Sequence, residues 1–265
     1  MPFALAVFFW LVAGITVALF IGKVWWLPPL ISEHGAAIDR QLVLTLIIAG
    51  IAFFLAQVSL GYLICRFRAK SGQRASYWHE SSRMEAVWTT GTAIVFIGLS
   101  LSGNRIWAEY ILTAPSPDSL SIEVTAQQFA WNIRYAGPDG KFGRTDPRLI
   151  NDANANYLGL DAKDLATRDD IATQNIIAVP VNRPVRVMLR TKDVTHSFFV
   201  PVLRVKQDAV PGLMIPIHFT ATKIGEYEVA CAELCGMQHY KMRARLLVMS
   251  EADFENWLKQ RASMQ

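Results

Sequence analysis

Cysteine is scarce in this chain, with three in 265 residues. Cys65 closes an apolar segment and reads most simply as a lipid- or core-facing residue, which leaves Cys231 and Cys235 to carry chemistry. No C-x-x-C-H string occurs, so a covalently attached haem is excluded. Charge is also low, at 18% against 52% hydrophobic residues, and the mean hydropathy is +0.24. That is too apolar for an ordinary soluble protein, while the C-terminal part is too charged for a pure membrane bundle. The C-terminal part in turn lacks net charge: residues 109–265 hold 18 Lys and Arg against 18 Asp and Glu, whereas residues 1–108 hold 8 against 4. The basic pI of about 9.0 therefore arises beside apolar segments, and no basic face for nucleic acid is implied. Internal repeats are absent as well.

What the first 108 residues do have is three uncharged runs of bilayer length, about 20 residues each. They cover residues 3–22, 41–65 and 86–104. The connection 66–85 contains Arg66, Arg68, Lys70, Arg74 and Arg83, whereas residues 23–40 have basic residues only at their two ends. The excess of Lys and Arg makes residues 66–85 a cytoplasmic loop. Residues 23–40 are then an external loop, and residues 109–265, following a third span over 86–108, lie outside. Residues 1–22 are a transmembrane helix or an uncleaved signal-like segment. They have no basic n-region and are followed by no A-x-A site, which favours a retained helix.

Beyond the linker Pro115-Ser116-Pro117 the period changes. Short runs rich in β-branched and aromatic residues occur at 121–126, 129–135, 176–179, 185–191, 215–220, 226–231 and 242–249, punctuated by Gly, Pro and Asp. They predict an all-β sandwich or barrel. Ser250-Glu251-Ala252-Asp253 reads as a helix start, giving a terminal helix over 250–262. Residues 136–175 form an Asp- and Asn-rich insertion. Its Asp152-x-Asn154-x-Asn156 resembles the start of a calcium loop, but Tyr157 stands where glycine is needed and Lys163 where the closing glutamate should be. A solvated surface excursion is expected there.

The chemistry concentrates in residues 231–242. Two thiols (Cys231, Cys235), an imidazole (His239) and a thioether (Met242) share one short loop, and His196 lies upstream in Asp193-Val-Thr-His-Ser. A disulfide or a packed pair is the ordinary reading of two cysteines in an exported domain. The imidazole and thioether alongside them point instead to a soft metal site. Zinc has little use for a thioether, whereas copper takes Met as a weak axial ligand. The site reads as copper.

The string C-x-E-x-C-x-x-x-H-x-x-M, with D-V-x-H-S-x-x-V-P at residues 193–201, resembles the dinuclear copper (CuA) segment of cytochrome c oxidase subunit II. The resemblance implies a mixed membrane and all-β chain: transmembrane helices followed by a cupredoxin-like Greek-key β-barrel on the periplasmic side of a bacterial inner membrane. Residue by residue, it implies that Cys231 and Cys235 bridge two coppers and that His196 and His239 cap one each. Met242 and the Glu233 carbonyl would be weak axial ligands, and the Glu233 carboxylate would share Mg²⁺ with subunit I. The implied partners are oxidase subunits I and III, membrane lipid, and cytochrome c or a cytochrome-containing donor complex. The implied function is to accept electrons and pass them to subunit I for oxygen reduction coupled to proton pumping.

Three further positions follow from the same resemblance. Glu85, in Glu85-x-x-Trp88-Thr89, matches a glutamate associated with a proton pathway into the catalytic subunit, although solvated helix-end carboxylates are common. The proline that often follows W-T is absent. In Gln128-Phe129-Ala130-Trp131, Phe129 occupies the position where the family commonly has a tryptophan as electron entrance, and Trp131 also reads adequately as a strand core residue. Arg134 stands where an acidic residue is frequent, which implies a weakened acidic docking face. A tethered copper chaperone or thiol oxidoreductase would place its histidine far downstream on an α/β fold. A quinol oxidase subunit II would lack the copper ligands, and a structural zinc domain would not need Met242.

Overall fold

The computed structural model describes residues 1–74, 77, 79–113 and 116–264. Pro115 of the proline linker lies outside the described residues, as do residues 75, 76 and 78 of the 66–85 connection. The chain divides into two units, one of Met1–Leu27 with Ala37–Glu109 and one of Pro28–Ala36 with Tyr110–Gln265.

The first unit contains α1 (Pro2–Ile21), α2 (Gly35–Arg66) and α3 (Ser82–Leu112), each long and apolar enough to cross a membrane. In hydrocarbon a helix satisfies every backbone group internally, so the apolar runs fold as helices. Polar contacts between helices are few and specific. The Trp10 indole N–H donates to the Val58 carbonyl at 3.2 Å. Gly61 makes room for that ring, since a Cβ there would meet the indole nitrogen at 2.3 Å. Gln41 ties α2 to α3, donating to Leu99 O at 3.2 Å and accepting from the Ser102 hydroxyl at 2.7 Å. The helices outrun the uncharged stretches: α2 begins at Gly35, and α3 takes in Ser82–Glu85 of the expected loop and continues to Leu112.

The second unit is a cupredoxin-like sandwich of two five-stranded sheets. Its strands are β1 (Leu120–Gln127), β2 (Ala130–Tyr135), β3 (Ile171–Gln174), β4 (Ile176–Pro180), β5 (Pro184–Thr191), β6 (His196–Val200), β7 (Val205–Ala209), β8 (Ile215–Thr220), β9 (Gly225–Cys231) and β10 (Arg243–Met249). The first sheet runs β3-β2-β1-β5-β8 and the second β4-β10-β9-β6-β7. β1 pairs parallel with β5 and β4 parallel with β10, the long connections expected of Greek-key topology. Between the sheets lies a core that includes Ile122, Val124, Ile133, Val187, Phe198 and Leu246. The helix α4 (Glu251–Ala262) starts at Ser250, whose hydroxyl accepts from Asp253 N–H, and lays Phe254 and Trp257 against Tyr135.

Three features depart from the sequence expectation. The last residues of the insertion are the edge strand β3, paired to β2, so the excursion ends at residue 170. All six residues of β2 are buried, because β1 and β3 flank it and both faces are covered, so Trp131 and its neighbours do not alternate between core and surface. Nine residues of the 23–40 loop belong to the sandwich. Ile31, 1% exposed, donates to Val202 O and accepts from Thr222 N–H, and Glu33 N–H donates to Thr220 O. In the insertion, Asn151 caps a single 3-10 turn and the Asn156 side chain bonds to the Leu149 and Leu160 main chain. These two amides bond to the main chain of the turns.

Candidate metal centre

The register sets the site. β6 begins at His196 and β9 ends at Cys231, and Phe198 is the direct antiparallel partner of Cys231. Because alternate residues of a strand share a face, His196 lies on the face that Phe198 and Cys231 present, one pleat further along. The loop after β9 then turns back through Met242 into β10, held by Cys231 N–H to Met242 O at 3.1 Å and Ala232 N–H to Ser197 O at 3.0 Å. Those bonds bring the sequence-predicted donors together at one end of the second sheet.

Cys231 Sγ lies 3.9 Å from Cys235 Sγ, too far for a disulfide near 2.05 Å, and both cysteines are free and buried. His196 Nδ1 lies 3.9 Å from Cys231 Sγ, and His239 Nδ1 3.6 Å from Cys235 Sγ. Met242 Sδ stands 3.8 Å from Cys235 Sγ, and the Glu233 carbonyl oxygen 3.2 Å from Cys231 Sγ. The ligand atoms of His196, Cys231 and Cys235 all lie within 4.8 Å of one another. Met242 is 1% exposed and His196 fully buried. Two thiols, two imidazoles, a thioether and one carbonyl fit a soft metal such as copper and leave Met242 unexplained for zinc.

The thiols titrate as a pair. Burial opposes ionisation of Cys231, but the His196 ring, backbone contacts at Ser197 and Glu233, and the His239 ring outweigh it and lower its pKa. Cys235 is pushed the other way by burial and by the charge on Cys231. A cation between them would draw both protons off. On His196, burial is outweighed by Cys231 and Asp193, and the ring is held above its ordinary pKa. Asp193 Oδ1 sits 2.8 Å from His196 Nε2, which turns Nδ1 toward the sulfurs.

Around the donors, Trp131 is fully buried, with its ring 6.3 Å from that of His196 and 5.5 Å from that of Phe198. Phe129 is half-buried in the β1–β2 turn and packs against the core. Glu233 is exposed. Glu85 is in the first turn of α3, in the other unit. Arg134 is the correction: it is 1% exposed and ion-paired inside the domain, so it lies on no docking surface. Sequence reasoning passed over Gln128, which bonds to the Cys235 carbonyl, and Gly236, where a Cβ would meet the Gln128 amide. Gly236 follows a cysteine in a loop, the kind of position where a glycine signals close backbone approach.

Residues 120–249 match the family described as cytochrome C oxidase subunit II, periplasmic domain. The chain is 34% identical over 258 residues to the alternative cytochrome c oxidase subunit 2 of Bradyrhizobium diazoefficiens, covering 97% of this chain and 91% of that one. It is 28% identical over 261 residues to the cytochrome c oxidase subunit 2 of Thermostichus vulcanus, covering 88% and 78%. A crystal structure of the periplasmic domain of cytochrome oxidase subunit II of Bradyrhizobium japonicum matches 56% of this chain and 97% of its own, at 28% identity and a TM-score of 0.40.

Proposed function

The chain belongs to the cytochrome c oxidase subunit II family, and we propose that it is the electron-accepting subunit of a respiratory oxidase in a bacterial inner membrane. It takes electrons from cytochrome c or a cytochrome-containing complex and hands them to a haem–copper subunit I, where oxygen is reduced and protons are pumped. α1, α2 and α3 are its membrane spans beside subunits I and III, and the sandwich faces the periplasm. The observation that carries this reading is the convergence of His196, Cys231, the Glu233 carbonyl, Cys235, His239 and Met242 at one end of a β-scaffold, with His196, Cys231, Cys235 and Met242 buried.

In that role Cys231, Cys235, His196, His239, Met242 and the Glu233 carbonyl would hold the copper, with the two thiolates supplying the strongest bonds and the thioether and carbonyl the weakest. A dithiolate-bridged copper pair spreads one electron over two metals, a chemistry suited to transfer and not to catalysis. The chain's own contribution is rigidity: six donors fixed by two strands and one loop change geometry little between oxidation states. Asp193 orients His196. Phe129 and Trp131 lie beside the donors on the side of the first sheet, and the Glu233 carboxylate is available to a hard cation such as Mg²⁺ shared with subunit I.

The test is metal analysis with visible and electron paramagnetic resonance spectra of the purified full chain loaded with copper. Two coppers per chain and a mixed-valence dinuclear signal are expected, with Cys231→Ser or Cys235→Ser abolishing it. One zinc and no copper would overturn the reading.

A further inference from the structure

The cysteine loop is held at its ends, by Ala232 N–H to Ser197 O and Cys231 N–H to Met242 O, and less in its middle. Between Ala232 and His239 its residues Glu233, Leu234, Gly236, Met237 and Gln238 are exposed. Its backbone bonds there are local turns, His239 N–H to Gly236 O at 3.0 Å and Lys241 N–H to Gln238 O at 2.9 Å. Yet the loop carries four of the donor atoms. One side chain reaches it from the opposite sheet. Gln128, in the turn between β1 and β2, donates from Nε2 to the Cys235 carbonyl oxygen at 2.5 Å.

Gln128 is itself anchored. Its backbone N–H donates to Asp193 Oδ2 at 2.7 Å, and the other oxygen of that carboxylate is the one at 2.8 Å from His196 Nε2. A continuous chain of contacts therefore runs from His196 through Asp193 and Gln128 to the main chain of Cys235. It joins the first imidazole donor to the cysteine loop without passing through either sulfur. Gly236 has φ +132, a conformation that side chains rarely adopt, and a Cβ there would lie 2.8 Å from Gln128 Nε2 and 3.1 Å from the Phe129 ring. The glycine lets the loop settle onto the Gln128 amide, which an incidental surface contact would not require.

We infer that Gln128 is a positioning residue for the metal centre, fixing Cys235 relative to His196 by clamping the Cys235 carbonyl. This rests on the copper reading of the site for its consequence, but not for the clamp, which the metal-free contacts already make. Losing a partner behind a metal ligand typically weakens metal retention about 10- to 100-fold. Losing one hydrogen bond of ordinary strength speeds local opening about fivefold.

The experiment compares the full chain in detergent as wild type, Gln128→Ala and Gln128→Glu. Glutamate keeps the shape but presents a carboxylate, with no N–H, to the carbonyl. Deuterium uptake of the metal-free protein is read on the peptide spanning residues 232–238, and copper retention is read by titration with a chelator. Both variants are expected to exchange about fivefold faster in that peptide and to release copper at about 10- to 100-fold lower chelator affinity. Thermal unfolding should move only slightly. Wild-type exchange and retention in Gln128→Glu would reduce Gln128 to packing and overturn the clamp, whatever Gln128→Ala does. Failure of the wild type to take copper would sink the copper reading alone, because the exchange comparison still decides the clamp.

Discussion

The Arg134 guanidinium meets the Asp170 carboxylate beneath the insertion at 2.5 Å, with both side chains essentially out of solvent. Arg134 also pairs with Glu123 at 3.1 Å, bonds to the Gly143 carbonyl, and lies over the Phe142 ring. Asp170 and Gly143 stand at the end and near the start of the insertion, so one cation on β2 pins both sides of the excursion to the sheet. Asp170 Oδ2 also accepts from Gly143 N–H at 3.0 Å. Removing one partner of a buried ion pair leaves an uncompensated charge and costs about 3–5 kcal/mol. Arg134→Met is therefore expected to lower the thermal midpoint of the domain by many degrees and to make residues 136–170 readily cleaved by protease. A midpoint within a degree or two of wild type would show that the cluster is replaceable.

Since Arg134 is neutralised internally, it adds nothing to the field outside the domain. The remaining charges of residues 109–265 are close to balance, given 18 basic and 18 acidic residues in all. Steering of a charged electron donor by such a surface is weak. The association rate of a c-type cytochrome should fall by less than about threefold between low and physiological salt, where the Debye length is about 8 Å. Stopped-flow rates against ionic strength check this. A loss of ten times or more would reveal a localised patch that the even count conceals.

The candidate donors were legible because five of the six sit on one twelve-residue stretch, 231–242, where spacing alone joins them. The helices were legible as charge-free runs, but their ends were not: Asp39, Arg40, Arg105 and Glu109 interrupt hydropathy without interrupting hydrogen bonding, so α2 and α3 run through them. β7 escaped notice since Lys206, Gln207 and Asp208 fill the centre of an edge strand, and β3 because four residues carry little pattern. Gln128 and Arg134 were misread or passed over for a different reason. Their partners Cys235 and Asp170 lie 107 and 36 residues away, and only the sheet registers bring them together.

The segment Pro28–Ala36 supplies a pH dependence. His34 stacks on the Tyr110 ring at 4.2 Å, and Tyr110 donates to the His218 carbonyl at 2.5 Å. Burial, reinforced by the neighbouring His218, lowers the His34 pKa from 6.5 to about 4, against a raising contact from the Leu203 backbone. Between those values the unfolded chain binds more protons than the folded one, so stability rises with pH through the window and is lost as pH falls through it. The contribution is complete above about pH 6.5. His34→Gln should flatten the decline of the thermal midpoint between pH 6.5 and 4.5 relative to wild type. Parallel curves for the two proteins would assign the acid sensitivity to other groups.

Glu85 poses a separate question, whether this subunit does more than carry electrons. It lies in the first turn of α3, while the chain leaves that helix for the copper domain after Leu112. Twenty-seven residues at 1.5 Å each separate the two positions by about 40 Å, several times the Debye length of about 8 Å. Glu85 belongs to a different unit of the chain from the candidate metal donors. If it only ends a helix, Glu85→Gln in the assembled oxidase leaves steady-state turnover unchanged. If it gathers protons for subunit I, as its place in Glu85-x-x-Trp88-Thr89 suggests, turnover falls severalfold, while the copper spectrum and the rate of electron arrival from the donor stay as in wild type. The two readouts separate the cases: turnover by oxygen consumption, and copper reduction by flash photolysis in the same preparation. Full turnover with intact assembly would reject the proton role. A disturbed copper spectrum would instead mean that the substitution had reached the fold of the second unit.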